Sequence, residues 1–291
     1  MSPLDAWPLL AGDASIFGEA ITILSDYFTV GWMRIIAACV LLSALAAGAL
    51  SPLVVNNRMA FFSDAMAHAT LAGAALGMIF GIDVTLAMAA WAIMLAALLV
   101  KLKRSGGVEL DTGLGVIMSG ALALGTILYK VGVDGYSGFH YLLFGKIALM
   151  QMADLWKSLA ACALALSMSL IGMNHFARLG VSREMAQGEG TRVALLELLL
   201  FCVLAFVVSV LVSPIGVLMI NAYLIVPAAT SRMLARSHRG MYWGSLCVAS
   251  VSALFGLVLS HVQEWPPGPS MVLMLIACFA LAGLARKLLR S

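Results

Sequence analysis

A chain of 291 residues that is 63% apolar and 11% charged, with a mean hydropathy of +1.03, cannot be a soluble globular domain. It reads as an all-α polytopic membrane protein. The net charge of +3 is small, no nucleic-acid signature is present, and the distribution of charge carries more information than its sum.

Spanning a hydrocarbon core about 30 Å thick takes about 20 residues of helix, so the spans are the long uncharged runs. Eight or nine are expected. Residues 1–29 hold Asp5, Asp13, Glu19 and Asp26 but no Lys or Arg, the wrong charge for a cleaved signal peptide, and read as a non-cytoplasmic N-terminal extension. A single transmembrane domain runs from 30 to 287, followed by a short cytoplasmic tail, 288–291. Its first span covers roughly 30 to 50 and ends at Ser51-Pro52. The second covers 60 to 80 and closes at Gly81-Ile82-Asp83. A third lies within 84 to 100, before the basic loop Lys101, Lys103 and Arg104, and a fourth opens at Asp111-Thr112-Gly113 and reaches Tyr129. Val131 to Lys146 is too rich in glycine for a full span and predicts an external loop with a half-helix at Tyr141-Leu142-Leu143-Phe144.

A fifth span is expected over 153–172, before the polar segment Asn174 to Arg192. The uncharged stretch Leu198 to Ser231 would measure about 50 Å as one helix. It must therefore break, and Ser213-Pro214-Ile215-Gly216 divides it into spans at 193–212 and 216–234, the second kinked by Pro227. An eighth span covers 241–261, Trp265-Pro266-Pro267-Gly268-Pro269 makes a tight turn, and a last span reaches Leu284. With nine alternating spans, the basic clusters at 101–104, 178–192, 232–239 and 286–290 share one side, which is cytoplasmic by the positive-inside rule.

Asp64 and His68 stand out because they lie inside the second span. Four residues apart, they share a helix face, and intramembrane ionisable groups usually face a cavity or another protein segment. On this reading Asp64 lies roughly 9 Å from the cytoplasmic end and His68 near the midplane, at roughly 15 Å. Two readings stand: a pair hydrogen-bonded to a neighbouring helix, or two ligands of a divalent metal such as zinc or manganese. His261 and Glu264, one turn apart before the Pro-Pro turn on the non-cytoplasmic side, are either an interfacial pair or an upper station of one ion pathway. Glu197 reads as an interfacial carboxylate, and His140, His175 and His238 as loop or cytoplasmic residues. The 18 methionines are scattered, and Cys39, Cys162, Cys202, Cys247 and Cys278 stand singly in apolar runs without a C-x-x-C pair. No Gly-x-x-x-x-Gly-Lys-Ser/Thr phosphate loop occurs, so the energy for active transport comes from another subunit or an ion gradient. The glycine-bounded Arg183, Glu184, Ala186, Gly188, Glu189 and Gly190, within a cytoplasmic segment 174–192, are candidates for docking a partner subunit.

Phe62-Ser63-Asp64-Ala65-Met66-Ala67-His68-Ala69-Thr70-Leu71-Ala72-Gly73 resembles the Gly-Asp-x-x-Ala/Ser-His-Ala-Ser-Leu-x-Gly motif of bacterial ABC-type metal-importer permeases, especially the zinc-uptake branch. Asp111 to Val116, Tyr141 to Gly145 and Leu224 to Thr230 resemble three further blocks of that family, in the same order. Glu264 to Ser270 resembles its Asp-Thr-Pro-Ala/Ser-Gly-x-Ser/Thr turn. The resemblance implies ATP-driven import of zinc, with manganese or iron as other family cargoes, and no permanently bound cofactor. It implies a homodimer with a second permease copy, a cytoplasmic ATP-binding subunit docked through Asn174 to Arg192, and a periplasmic or lipid-anchored metal-binding protein. The ATPase being separate, the chain itself is expected to be no enzyme, and its location the bacterial cytoplasmic (inner) membrane. Asp64, His68, His261 and Glu264 would belong to the metal pathway. Three positions depart from the pattern: Ser63 for glycine, Glu264 for aspartate, and Lys146 for an acid. A proton-coupled carrier using Asp64 and His68 as a relay is the alternative. An intramembrane metalloenzyme lacks a His-Glu-x-x-His motif.

Overall fold

In hydrocarbon a backbone must satisfy its own hydrogen bonds, which turns uncharged runs of this length into helices. The computed structural model describes residues 31–104, 109–132, 145–181 and 193–288. Among these, nine long helices follow in order: α1 Gly31–Asn56, α2 Ala60–Phe80, α3 Val84–Arg104, α4 Leu110–Gly132, α5 Met152–Val181, α6 Val193–Ile215, α7 Val217–Leu234, α8 His238–Val262 and α9 Pro267–Leu288. A single 3₁₀ turn, Ile147–Leu149, precedes α5. Eight of the nine are long and apolar enough to cross a membrane. The exception is α2, whose apolarity Asp64 and His68 dilute. The N-terminal extension, the half-helix at 141–144 and the coupling residues Arg183, Glu184, Ala186, Gly188, Glu189 and Gly190 lie outside the described residues.

The spans agree with the hydropathy reading to within a few residues, with two instructive extensions. The first helix was expected to stop at Ser51-Pro52, yet α1 continues through Pro52 to Asn56. Proline removes the amide that would bond the carbonyl four residues earlier. Here that carbonyl belongs to Gly48, and the Ser245 hydroxyl of α8 donates to it at 2.8 Å. The second extension is α5, which runs nine residues past its expected end at 172 to Val181. Hydropathy marks where lipid stops, and a helix is free to continue into water.

The bundle is organised around α1, which packs on α5, α7 and α8. Its small residues allow close approach: a Cβ on Gly48 would lie 2.7 Å from Ala249 Cβ. Hydroxyls then stitch the helices together. Ser169 of α5 donates to the Ala49 carbonyl at 2.8 Å, and the Ala228 amide, directly after Pro227 of α7, donates to Ser51 Oγ at 3.0 Å. Around this core, α2 is clasped by α3 and α4. Gly125 of α4 sits so close that a Cβ there would meet the Ala72 amide nitrogen at 2.8 Å, and one on Gly73 would meet Met88 Cα of α3 at 2.9 Å.

Ion pairs close both ends of the bundle. At the end bearing the basic clusters, Lys103 meets the buried Glu197 at 3.1 Å, as an interfacial carboxylate requires, and Arg104 donates to the Ala194 carbonyl. At the opposite end Lys157 of α5 bridges to Asp83 at 3.3 Å and to Thr85 at 2.8 Å. Asp83 also caps α3 by accepting the Leu86 amide at 3.0 Å.

Candidate metal-ion site

The site is built on α2. This helix starts after Arg58, a residue with φ of 56° in the tight α1–α2 turn, and ends on Gly81, whose left-handed φ of 65° lets its amide reach back to the Gly77 and Met78 carbonyls. Between these stops Phe62, Ser63, Ala65, Met66, Ala67 and Ala69 are buried, leaving one open strip. Asp64 and His68 lie on it, with side chains 41% and 29% exposed in the single chain. Ser63, at the family's glycine position, is accommodated because its hydroxyl donates to the Ala60 carbonyl at 2.8 Å.

His68 Nε2 lies 3.5 Å from Asp64 Oδ1. Two ligands each about 2.0–2.1 Å from a tetrahedral zinc ion stand about 3.4 Å apart, so this separation matches that of two atoms sharing an ion. A third group, which the sequence reading missed, joins them. Asn221 of α7 donates through Nδ2 to Asp64 Oδ1, while its Oδ1 is buried without a hydrogen-bond partner. An orphaned buried acceptor is costly. On an amide that already holds the Asp64 carboxylate through its nitrogen, this oxygen has the chemistry of a cation ligand. The signal available in the sequence was one asparagine in the uncharged run 198–231.

Asn221 also fixes the depth of the site. It lies about 20 Å from the cytoplasmic end of α7 at Leu234, at 1.5 Å per residue. Phe62, two residues before Asp64, stacks edge-on against Phe201 at 4.7 Å, itself about 12 Å into α6 from its cytoplasmic end. Both helices therefore carry the cluster toward the middle of the bundle, which is where transporters hold their substrate.

His261 and Glu264 do not join it. Ser252 of α8 meets the Tyr223 hydroxyl at 3.1 Å, close to Asn221, and His261 lies about 14 Å further along α8. The sequence spacing treats His261 and Glu264 as one helical turn apart. In the structure α8 ends at Val262, and Glu264 sits in the following turn with φ of 53°, so the two do not share a helix face. Both are exposed. Among the described residues no group of three or more His, Cys, Asp and Glu comes together. Beside Asp64 and His68 the described residues therefore offer no further His, Cys, Asp or Glu, only neutral groups such as Asn221.

Lys146, the basic departure from the family pattern, is neutralised. Its ammonium pairs with the buried Asp154 at 3.0 Å, and its amide donates to the Pro214 carbonyl at 3.1 Å, anchoring the chain at the α6–α7 break. Gly145 beside it adopts φ of 79°, and a Cβ there would lie 2.5 Å from the Ile215 carbonyl carbon.

Fold and site together define a polytopic helical membrane bundle with a polar cluster at mid-bundle. The sequence profile of the ABC 3 transport family matches residues 29–286, and the chain belongs to that family. It is thus a multi-pass protein of the bacterial inner membrane and not an enzyme, ATP hydrolysis residing in a separate subunit. It is 30% identical over 243 residues to the high-affinity zinc uptake system membrane protein ZnuB of Haemophilus influenzae, covering 82% of this chain and 92% of the relative. It is 29% identical to the manganese import system permease protein ScaB of Streptococcus gordonii, covering 79% and 82%. Among solved structures, PsaBC from Streptococcus pneumoniae in complex with Fab superposes with a TM-score of 0.80 at 26% identity, covering 90% of this chain and 95% of that one.

Proposed function

We propose that this permease carries divalent transition-metal ions inward, with zinc as the preferred cargo and Asp64, His68 and Asn221 as the ligands that hold the ion in transit. The observation that carries this reading is the 3.5 Å approach of His68 Nε2 to Asp64 Oδ1, with Asp64 also held by Asn221, whose own side-chain oxygen is unpartnered. Three protein donors with one imidazole suit a four-coordinate ion completed by water, which favours zinc over the oxygen-rich six-coordinate preference of manganese. Few ligands also suit transport, since an ion held too tightly would not leave.

The open strip on α2 supports a homodimer. Ionisable groups at this depth cannot face lipid, and a second permease copy is the cover that would turn the strip into an enclosed path. The ion arrives from an external metal-binding protein, passes His261 and Glu264 near the outer end, and moves on as a cytoplasmic ATP-binding subunit acts through residues 174–192. The test is ATP-dependent metal uptake into vesicles holding the permease and its ATPase. Zinc uptake should outpace manganese and should be lost in Asp64→Ala and His68→Ala. Uptake unchanged in both variants would overturn the assignment, and faster manganese uptake would overturn the choice of cargo.

A further inference from the structure

A second polar feature lies at the cytoplasmic end of α7, about 20 Å along the helix from Asn221. Arg232, in the last turn of α7, Arg236, in the link to α8, and His238, at the start of α8, line an open crevice of about 230 Å³ with Asn56 of α1 and Ser237. Ser237 Oγ accepts the Gly240 amide at 3.1 Å and so begins α8 at the crevice, aiming the partially positive end of a 25-residue helix at it. Outside the crevice lining, the last turn of α9 carries two further bases, Arg286 and Lys287. They follow Gly283, which lies against Met233 Sδ of α7. The four ion pairs among the described residues involve none of these bases.

Unpaired cations converging on one crevice call for an anion, and two arginines can grip a phosphate with paired, geometrically matched hydrogen bonds. The crevice lies at headgroup level. Leu234, between the two arginines, is 50% exposed, and Trp243, one turn into α8, is 63% exposed. Tryptophan in such a position is typical of the membrane–water interface. Basic pockets between helices on the cytoplasmic side bind anionic headgroups.

We propose that this crevice binds the phosphate of an anionic phospholipid of the inner leaflet. The lipid lies across the α7–α8 junction, with Arg232 and Arg236 on its phosphate and its acyl chains along Leu234 and Trp243. Because the same α7 carries Asn221 about 20 Å further along, an occupant here steadies the helix that lines the ion site.

The test is thermal unfolding of the full chain in complex with its ATPase, in detergent, with phosphatidylglycerol, phosphatidylcholine or inorganic phosphate added. Phosphatidylglycerol should raise the midpoint by several degrees, phosphatidylcholine should not, and Arg232→Gln/Arg236→Gln should lower the apparent lipid affinity by roughly tenfold or more. An equal shift with phosphatidylcholine, or an undiminished one in the double variant, would overturn the proposal. A full shift with millimolar inorganic phosphate would reassign the crevice to a soluble phosphate compound, and a lipid response that appears only without the ATPase would reassign it to that protein. Should the double variant fail to fold, native mass spectrometry of the wild-type complex decides: retained phosphatidylglycerol supports the site, and its absence overturns it.

Discussion

Two histidine–carboxylate pairs sit in this chain at nearly the same sequence spacing, and the bundle treats them oppositely. Asp64 and His68 lie within an unbroken helix, so four residues become one shared face and a 3.5 Å approach. His261 and Glu264 straddle a helix end, and the left-handed Glu264 sends the second group elsewhere. Spacing has meaning only while the helix continues. The inner pair also has a third polar group across from it in Asn221; the outer pair stands at an exposed turn.

The largest expected effects fall on the inner pair. Asp64→Ala or His68→Ala should cut ATP-dependent zinc uptake by about 100-fold or more, since even the partners of metal ligands cost about 10–100-fold when removed. Asn221→Ala should follow at about 10–100-fold; an effect below twofold would return Asn221 to a packing role. In vesicle uptake assays His261→Ala and Glu264→Gln should each cost less than about threefold, because an exposed station is bypassed by diffusion. A loss there as deep as at Asp64 would erase the contrast.

Smaller effects test the scaffold of each region. Ser245→Ala leaves the Gly48 carbonyl unpaired behind Pro52 and should destabilise the protein by about 1–3 kcal/mol, read by thermal or denaturant unfolding. The Asp83–Lys157 bridge at the outer end should contribute least. The Leu86 amide, and after it Lys157, hold the Asp83 carboxyl below its ordinary range. Its contribution is therefore present at neutral pH and lost as pH falls through and below the carboxylate range. As Asp83 is half exposed, Lys157→Ala should cost at most about 0.5 kcal/mol at neutral pH and nothing further in acid.

The helices were legible in the sequence because charge-free runs near 20 residues have few alternatives in a membrane. Their ends were less so, since Pro52 looks like a stop until Ser245, 193 residues away, supplies the missing donor. In the site, Asp64 and His68 announced themselves by charge within an apolar helix. Asn221 did not, because a neutral amide barely changes hydropathy and its role comes from a contact 157 residues distant. The Lys146 departure is likewise explained only by a contact, since its ammonium pairs with Asp154 while its amide is held at the α6–α7 break.

The central claim is that Asp64, His68 and Asn221 hold the ion in transit. Zinc X-ray absorption on the permease–ATPase complex tests it most directly. The account predicts a low-coordinate shell of nitrogen and oxygen that includes imidazole scattering, with that scattering lost in His68→Ala. An imidazole signature that survives in His68→Ala, or a sulfur-containing shell, would contradict it.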